Sequence, residues 1–481
     1  MPKIDIPIAN GFYESESLPI SAQECTNWYP NVVQTSGLSQ ETLLGTPGIN
    51  QLVTTGIINQ ANRGAHVKGG IPYFINGGDL YRLDRAIDAS GVETFSTTTL
   101  GAVAGSGRVS MADNGTQLMI LSPGGKGYIY NELAGTPFLE ITDVDFNANG
   151  APQHVVFIDG YFAVTTDSKK WIISALNDGM TWNALDFASA ESDPDDIVAP
   201  IVLMNQVFIT GSETTESSQN QPNGAGFPFV RSNLFMNKGC FAPFSLINAN
   251  DSFLMIGGGR NESPAIWQFN GSGFSKVSTT AIDNVLSKFS DSEILEAFSF
   301  TYADKGEYFV GFTIGNVTFV YGAIAKRWHE RKSYIGTSDL RWRVNSLVTA
   351  YGRVLVGDSQ DGRIGELDSE TYTEYGENIR RVIATQPFSS LGMVIRVPMV
   401  ELTVESGVGN SARTDPTVSM DVSADGKTFS YERARSMGRV GEYNQRAVWY
   451  RNGKFSRFAI LRFKMSDPVK PSIIKCEASV A

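Results

Sequence analysis

The sequence of 481 residues carries a formal net charge of −11, is 42% hydrophobic, only 19% charged, and holds 48 glycines. Length and apolar content allow about three domains, or one large β domain with additions, and exclude a disordered chain. The acidic balance argues against a protein whose work is to grip nucleic acid, which needs cations facing phosphates.

The first residues, Met1-Pro2-Lys3-Ile4-Asp5-Ile6-Pro7, lack the apolar centre of a signal peptide. No stretch has the apolar length to span a bilayer, so membrane insertion is not expected. Residues 1–60 show little strand alternation and read as an N-terminal arm. Phe12, Tyr13, Trp28, Tyr29 and Pro30 suit it to lying over a surface. Such an arm can also lend a strand to close a ring, or clasp a neighbouring subunit.

From His66 onward one unit recurs: a tight turn flanked by alternating apolar residues. Tyr73-Phe74-Ile75 turns at Asn76-Gly77-Gly78 into Leu80-Tyr81-Arg82-Leu83, and Val155-Val156-Phe157-Ile158 turns at Asp159-Gly160 into Tyr161-Phe162-Ala163-Val164. Asx-Gly pairs favour two-residue hairpins because they tolerate positive φ. The turns fall near residues 77, 115, 160, 205, 251, 306 and 352, at steps of 38, 45, 45, 46, 55 and 46. A period near 45 with several strands per unit predicts a β-propeller of about seven blades over residues 61–375.

Ala175-Leu176-Asn177-Asp178-Gly179-Met180-Thr181-Trp182 nearly fits the sialidase Asp-box S-x-D-x-G-x-T-W, a non-catalytic blade turn. Ile282, Val285, Leu286 and Phe289 recur at helical spacing behind Thr279 and Thr280, predicting one short amphipathic helix that explains the long step. Glu213 to Gly226 is polar and turn-prone and reads as an exposed loop, which makes Glu216, Gln219 and Asn220 candidate partner contacts.

After residue 376 the period changes to short strands, predicting a β-sandwich over 376–481. The whole is therefore expected to be all-β. Residues 376–481 hold 16 Lys+Arg against 10 Asp+Glu, a net of +6, while the preceding residues hold 23 against 40, a net of −17. Two domains with ordinary surfaces would account for this, as would opposite charges meeting across an interface. Arg433, Arg435, Arg439, Arg446, Arg451, Lys454, Arg457, Arg462 and Lys464 are interleaved with Tyr431, Tyr443, Trp449, Tyr450 and Phe455. That run reads as a protein-docking face, a solvated sheet face or a nucleic-acid groove. Trp449, Tyr450, Arg451 and Arg457 are the candidate interface residues.

No phosphate loop and no G-x-S-x-G elbow occur, and Gly257-Gly258-Gly259-Arg260 reads as a turn. His66, His154 and His329 are scattered and read as structural. Cys25, Cys240 and Cys476 are odd in number and far apart, as expected of reduced, packed thiols in a protein made in a cytoplasm. Glu191-Ser192-Asp193-Pro194-Asp195-Asp196 reads as an inter-blade loop. A divalent-cation site or a glycosidase carboxylate pair is the competing reading. No catalytic, cofactor or metal residue is assigned. A propeller glycosidase or carbohydrate-binding protein is the alternative to a structural protein.

Several stretches resemble, in order, the packaged-DNA stabilisation proteins of short-tailed phages. They are Gly105-Ser106-Gly107-Arg108-Val109-Ser110-Met111-Ala112, Glu191-Ser192-Asp193-Pro194-Asp195, Lys238-Gly239-Cys240, and Val285-Leu286 through Glu293-Ile294-Leu295. The C-terminal Trp449-Tyr450-Arg451, Phe463-Lys464 and Ser466-Asp467-Pro468-Val469 are similar too. The resemblance runs from about residue 40 to the end, and is weakest before it and at 213–226. It implies a tail hub or nozzle without enzyme activity: a hexameric ring in the virion tail, below the portal and adaptor rings. Such a ring continues the channel for double-stranded DNA, carries tailspikes and ends at a needle or plug that retains the genome. It implies no cofactor.

Overall fold

Hairpin turns set the architecture. A computed structural model describes residues 3–32, 37–189, 195–221, 226–389 and 394–481. Five blades join their first two strands through two residues that both have positive φ: Gly69-Gly70, Asp159-Gly160, Met204-Asn205, Lys305-Gly306 and Tyr351-Gly352. That geometry matches the right-handed twist of the strands it joins. The expected first turn at Asn76-Gly77-Gly78 instead joins the second and third strands of blade 1. Counted from Gly70, the first step is 45 residues rather than 38, so the period breaks only before residue 306.

Seven sheets follow, beginning at Asn62–Lys68, Ser110–Asp113, Pro152–Ile158, Ile197–Leu203, Ile247–Ala249, Phe298–Asp304 and Val344–Ala350. Each of these first strands packs beside the next, and the seventh packs beside the first, so they form a closed ring around one axis. Apolar side chains fill the gaps between blades. Met119, Ile129, Phe162, Val164 and Trp182 form one such layer, and Phe74, Leu83, Leu355 and Ile364 another.

The Asp-box-like segment is the hairpin between Lys170–Ala175 and Asp178–Ser189. The Asp178 carboxylate accepts from the Met180 N–H (3.0 Å) and the Thr181 hydroxyl (2.8 Å), and the Trp182 indole donates to the Gly179 carbonyl (2.9 Å). These bonds stay within the turn, and Trp182 packs on Phe146. Before blade 6 lie two helices rather than the one expected. Thr280–Leu286 is capped by Thr279, and Asp291–Leu295 opens with a reciprocal Ser290–Glu293 capping box. Ile282, Leu286 and Ile294 are buried in the main core.

The polar segment 215–220 is not an exposed loop. Thr215–Asn220 is the third strand of blade 4, with Glu216 opposite Phe235, Gln219 opposite Val230 and Asn220 opposite Phe229. Glu216 is buried and forms an ion pair with Arg231 at 3.7 Å, while Gln219 and Asn220 are half-buried. Backbone ladder bonds, together with the Thr215 hydroxyl donating to the Lys238 carbonyl (2.7 Å), hold a strand whose composition is that of a loop. Residues 222–225 lie outside the described residues.

The N-terminal stretch is not an arm laid over a surface either. Gly48–Thr54 pairs antiparallel with Arg363–Asp368 as the fourth strand of blade 7, closing the propeller from the other end of the chain. Upstream, Trp28–Val32 and Glu41–Gly45 extend one sandwich sheet beside Ser472–Ser479, which Lys3–Asp5 also joins. Cys25–Thr26 enters the other sheet between Arg381–Ala384 and Arg327–Glu330 of blade 6, so blade 6 and the sandwich share one continuous sheet. Leu461, Phe463 and Met465 point into the sandwich core, and Arg462 and Lys464 alternate outward. The three cysteines are free and buried, and burial pushes their thiols upward, that of Cys240 to about 11.

Candidate functional site

The propeller axis is occupied by side chains. Arg108, on the link between blades 1 and 2, donates to the Asn345 carbonyl of blade 7. Its guanidinium lies 3.4 Å from the centre of the Phe298 ring of blade 6, with Arg341 at 5.6 Å from the same ring. On the other side His154 of blade 3 meets Phe244 edge-on at 4.8 Å, and the Ser299 hydroxyl of blade 6 donates to the Phe244 carbonyl (3.3 Å). The space beside Arg108 holds about 460 Å³ and is also lined by Glu293 and Glu296. Glu293 is engaged there by the Ser290 N–H and hydroxyl (2.9 and 2.8 Å). Nothing in the sequence pattern marks Arg108 and Arg341 as neighbours, because they come together only through ring closure.

The histidines are structural. His66 Nε2 lies 2.7 Å from Asp113 between blades 1 and 2. His329 is fully buried between Tyr29 and Phe309, and burial, with Arg331 nearby, pulls its imidazole down to about 3. The unfolded chain therefore takes up this proton first as the medium is acidified. The stability present above pH 6.5 is lost toward pH 3 at about 1.4 kcal/mol per unit. His329→Leu is expected to flatten this acid limb, read as urea midpoints at pH 7, 5.5 and 4.5. An unchanged slope would contradict it.

Of the acid cluster, Glu191-Ser192-Asp193-Pro194 lies outside the described residues. Asp195 accepts from the Glu213 and Thr214 N–H groups (2.8 and 2.9 Å), fixing a turn of blade 4, and Asp196 reaches Lys169 at 4.0 Å. Among the described residues no three His, Cys, Asp or Glu side chains converge as metal ligands. Nor is any helix among them long and apolar enough to cross a membrane.

The basic run of the sandwich divides by partner. Ala447–Tyr450 is an edge strand. Arg433 donates to its Tyr450 carbonyl (2.9 Å) and Arg435 to its Val448 carbonyl (2.8 Å), so two arginines of the facing sheet cover an open edge. Arg446 forms a two-point pair with Glu401 (2.6 Å for both bonds), and together with Lys3 it holds that carboxyl down at about 2. Arg462 pairs with Asp421 (2.7 Å), Lys464 with Asp421 and Glu432, and Arg439 faces Asp415 at 3.9 Å.

Trp449 is not a surface residue. It is fully buried, packs on Phe463 at 5.7 Å and donates to the Arg433 carbonyl (2.6 Å). Period-2 alternation sends its neighbour Tyr450 outward, 60% exposed. Arg451, Lys454 and Arg457 are exposed and, among the described residues, have no side-chain partner. Sequence reasoning missed Arg396, which the fold places directly across from Lys454.

A seven-bladed propeller stitched into a sandwich, with its axis crossed by side chains and a group of exposed cations without side-chain partners among the described residues at Arg396 and 451–457, defines a propeller–sandwich protein. A family model described as bacteriophage P22 Gp10, beta-propeller, matches residues 4–372, and one described as bacteriophage P22 Gp10, beta-sandwich, matches residues 380–481. Tail hub protein gp10 of Salmonella phage P22 is 22% identical over 408 residues, covering 82% of this chain and 81% of that protein. Among solved structures, the computationally designed Ika8 protein is similar over 66% of this chain and 99% of its own, at 11% identity and a TM-score of 0.38. PorZ of the type-IX secretion system of Porphyromonas gingivalis is similar over 73% of this chain and 44% of its own, at 9% identity and a TM-score of 0.39. The chain belongs to the bacteriophage P22 Gp10 family and is a structural tail hub protein of the virion tail.

Proposed function

We propose that this tail hub is a non-enzymatic ring subunit, six to a ring, assembled in the host cytoplasm and seated below the portal and adaptor rings. In this reading the ring continues the DNA channel, retains packaged DNA, and carries the tailspikes and the needle or plug. The observation that carries it is the match of both family models, in order, along one chain. The crossed axis supports it: with Arg108, Phe298, His154 and Phe244 there, a duplex whose major groove alone is about 12 Å wide has no way through a single propeller. The channel must then lie between subunits.

A wall that DNA slides past should repel phosphate, and the propeller residues 48–375, with 22 Lys+Arg against 35 Asp+Glu and a net of −13, are suited to line it. Electron microscopy of the purified protein, alone and mixed with portal–adaptor complex, is expected to show rings that dock coaxially with a net acidic lumen. A protein that neither forms rings nor docks would overturn the reading, as would a continuous basic lumen.

A further inference from the structure

Of the exposed sandwich cations without a side-chain partner among the described residues, Arg396, Arg451, Lys454 and Arg457 fall in or beside one two-stranded ribbon, while Lys427 lies outside it, in the turn after Thr417–Ser423. The other cations of the basic run are engaged, Arg435 by the Val448 and Ala434 carbonyls and the rest by side chains. Arg396 and Lys454 are direct cross-strand partners in a two-stranded ribbon. Their side chains therefore leave the same face, an arrangement that costs stability when nothing offsets it. The backbone holds the ribbon firmly. The Arg451 N–H donates to the Pro398 carbonyl (2.8 Å), Asn452 N–H to Val397 (3.0 Å) and Val397 N–H to Gly453 (3.1 Å). Val394 and Tyr450, 47% and 60% exposed, place apolar surface among the charges. Arginine and tyrosine on a preorganised backbone are the composition of protein-interface hot spots.

The chain itself carries the complementary surface. The propeller residues 48–375 hold 22 Lys+Arg against 35 Asp+Glu, a net of −13, whereas the sandwich is +2 (+6 after residue 375 and −4 from the N-terminal strands of residues 1–47). A closed ring of identical chains requires a heterologous contact, in which two unlike patches of the same chain meet. Opposite charge on the two parts supplies such a pair and sets its orientation. We propose that the ribbon formed by residues 394–398 and 450–457 docks onto the acidic propeller body of a neighbouring copy. This rests on the reading of the chain as a ring subunit.

The test compares wild type with Arg396→Glu/Lys454→Glu and with Arg451→Glu/Arg457→Glu, by native mass spectrometry and sedimentation at about 50 and about 500 mM salt. Wild type is expected to form rings that high salt weakens. Each reversal is expected to weaken association by at least about tenfold while circular dichroism and the thermal midpoint stay unchanged. Should a reversal disturb folding, Arg396→Gln/Lys454→Gln removes the charge and is expected to give a smaller loss of association. Rings unaffected by either reversal would overturn the docking assignment alone. Loss of duplex-DNA binding with rings intact would overturn it in favour of a DNA-facing patch. A wild-type monomer would overturn the ring reading itself.

Discussion

A chain lacking residues 1–54 is expected not to fold, although the deletion leaves most of every blade in place. Gly48–Thr54 is the fourth strand of blade 7, and its loss opens the ring between the blade-7 edge and its closure. The same deletion strips strands from both sandwich sheets. Ile6, Ile8, Phe12, Cys25, Trp28, Tyr29, Leu43 and Ile49 are all buried. At about 1.5–3 kcal/mol for each large apolar side chain, their removal exceeds the ~5–15 kcal/mol net stability of a typical domain. The truncated chain should be insoluble, or cut by thermolysin inside the propeller where the full chain resists. A milder variant isolates ring closure. A Cβ at Gly365 would come 2.5 Å from Ile49 and 2.9 Å from the Asn50 carbonyl, so Gly365→Val should prise the closing strand away and raise protease sensitivity at blade 7 first. A truncated protein with the thermal transition of the full chain would refute this account of closure.

The blades were legible because their signal is local. A two-residue turn with positive φ at both positions selects Gly, Asn and Asp, and pairs such as Asp159-Gly160 and Lys305-Gly306 print that demand every 45 residues or so. The N-terminal strands were not legible for the opposite reason. They are two to seven residues long, and the pairings that fix their place reach more than 300 residues away, as Ile49 does to Leu367, while Trp28–Val32 and Glu41–Gly45 pair with each other nearby. Within their own stretch they show no period. Glu216 was misread because a strand that draws its hold from ladder bonds and hydroxyls has the composition of a loop. On the basic edge, alternation separated Trp449 from Tyr450, but pairing decided the arginines. Arg433 and Arg435 spend their charge on carbonyls of the opposite sheet, a contact set by how two sheets stack. What remains free is what strand pairing left over.

Glu374→Ala is expected to cost about 3–5 kcal/mol, far more than any change on the exposed ribbon. Glu374 is buried where the closing strand, blade 7 and the sandwich meet, its own short strand pairing with Ile49. Its carboxylate accepts from the Trp342 indole (2.9 Å) and the Ser333 hydroxyl (2.5 Å), and Arg331 lies 3.5 Å away, stacked on Trp342. Arg331 also donates to the Pro47 carbonyl (2.9 Å), which ties the closing strand to the same cluster. Arg381 is buried close by, and burial with the charge of Arg331 pulls its guanidinium down to about 9. Arg331 Nε and Nη1 and Arg381 Nε and Nη2 have no protein hydrogen-bond partner among the described residues. Two buried cations thus lean on one carboxylate. Removing it strands both charges, whereas Glu374→Gln keeps an acceptor for Trp342 and Ser333 and should cost less. Urea unfolding followed by tryptophan fluorescence, with Trp342 reporting from inside the cluster, should rank wild type above Gln above Ala. If Glu374→Ala costs under about 1 kcal/mol, the range of a surface pair, this carboxylate is not what neutralises the junction.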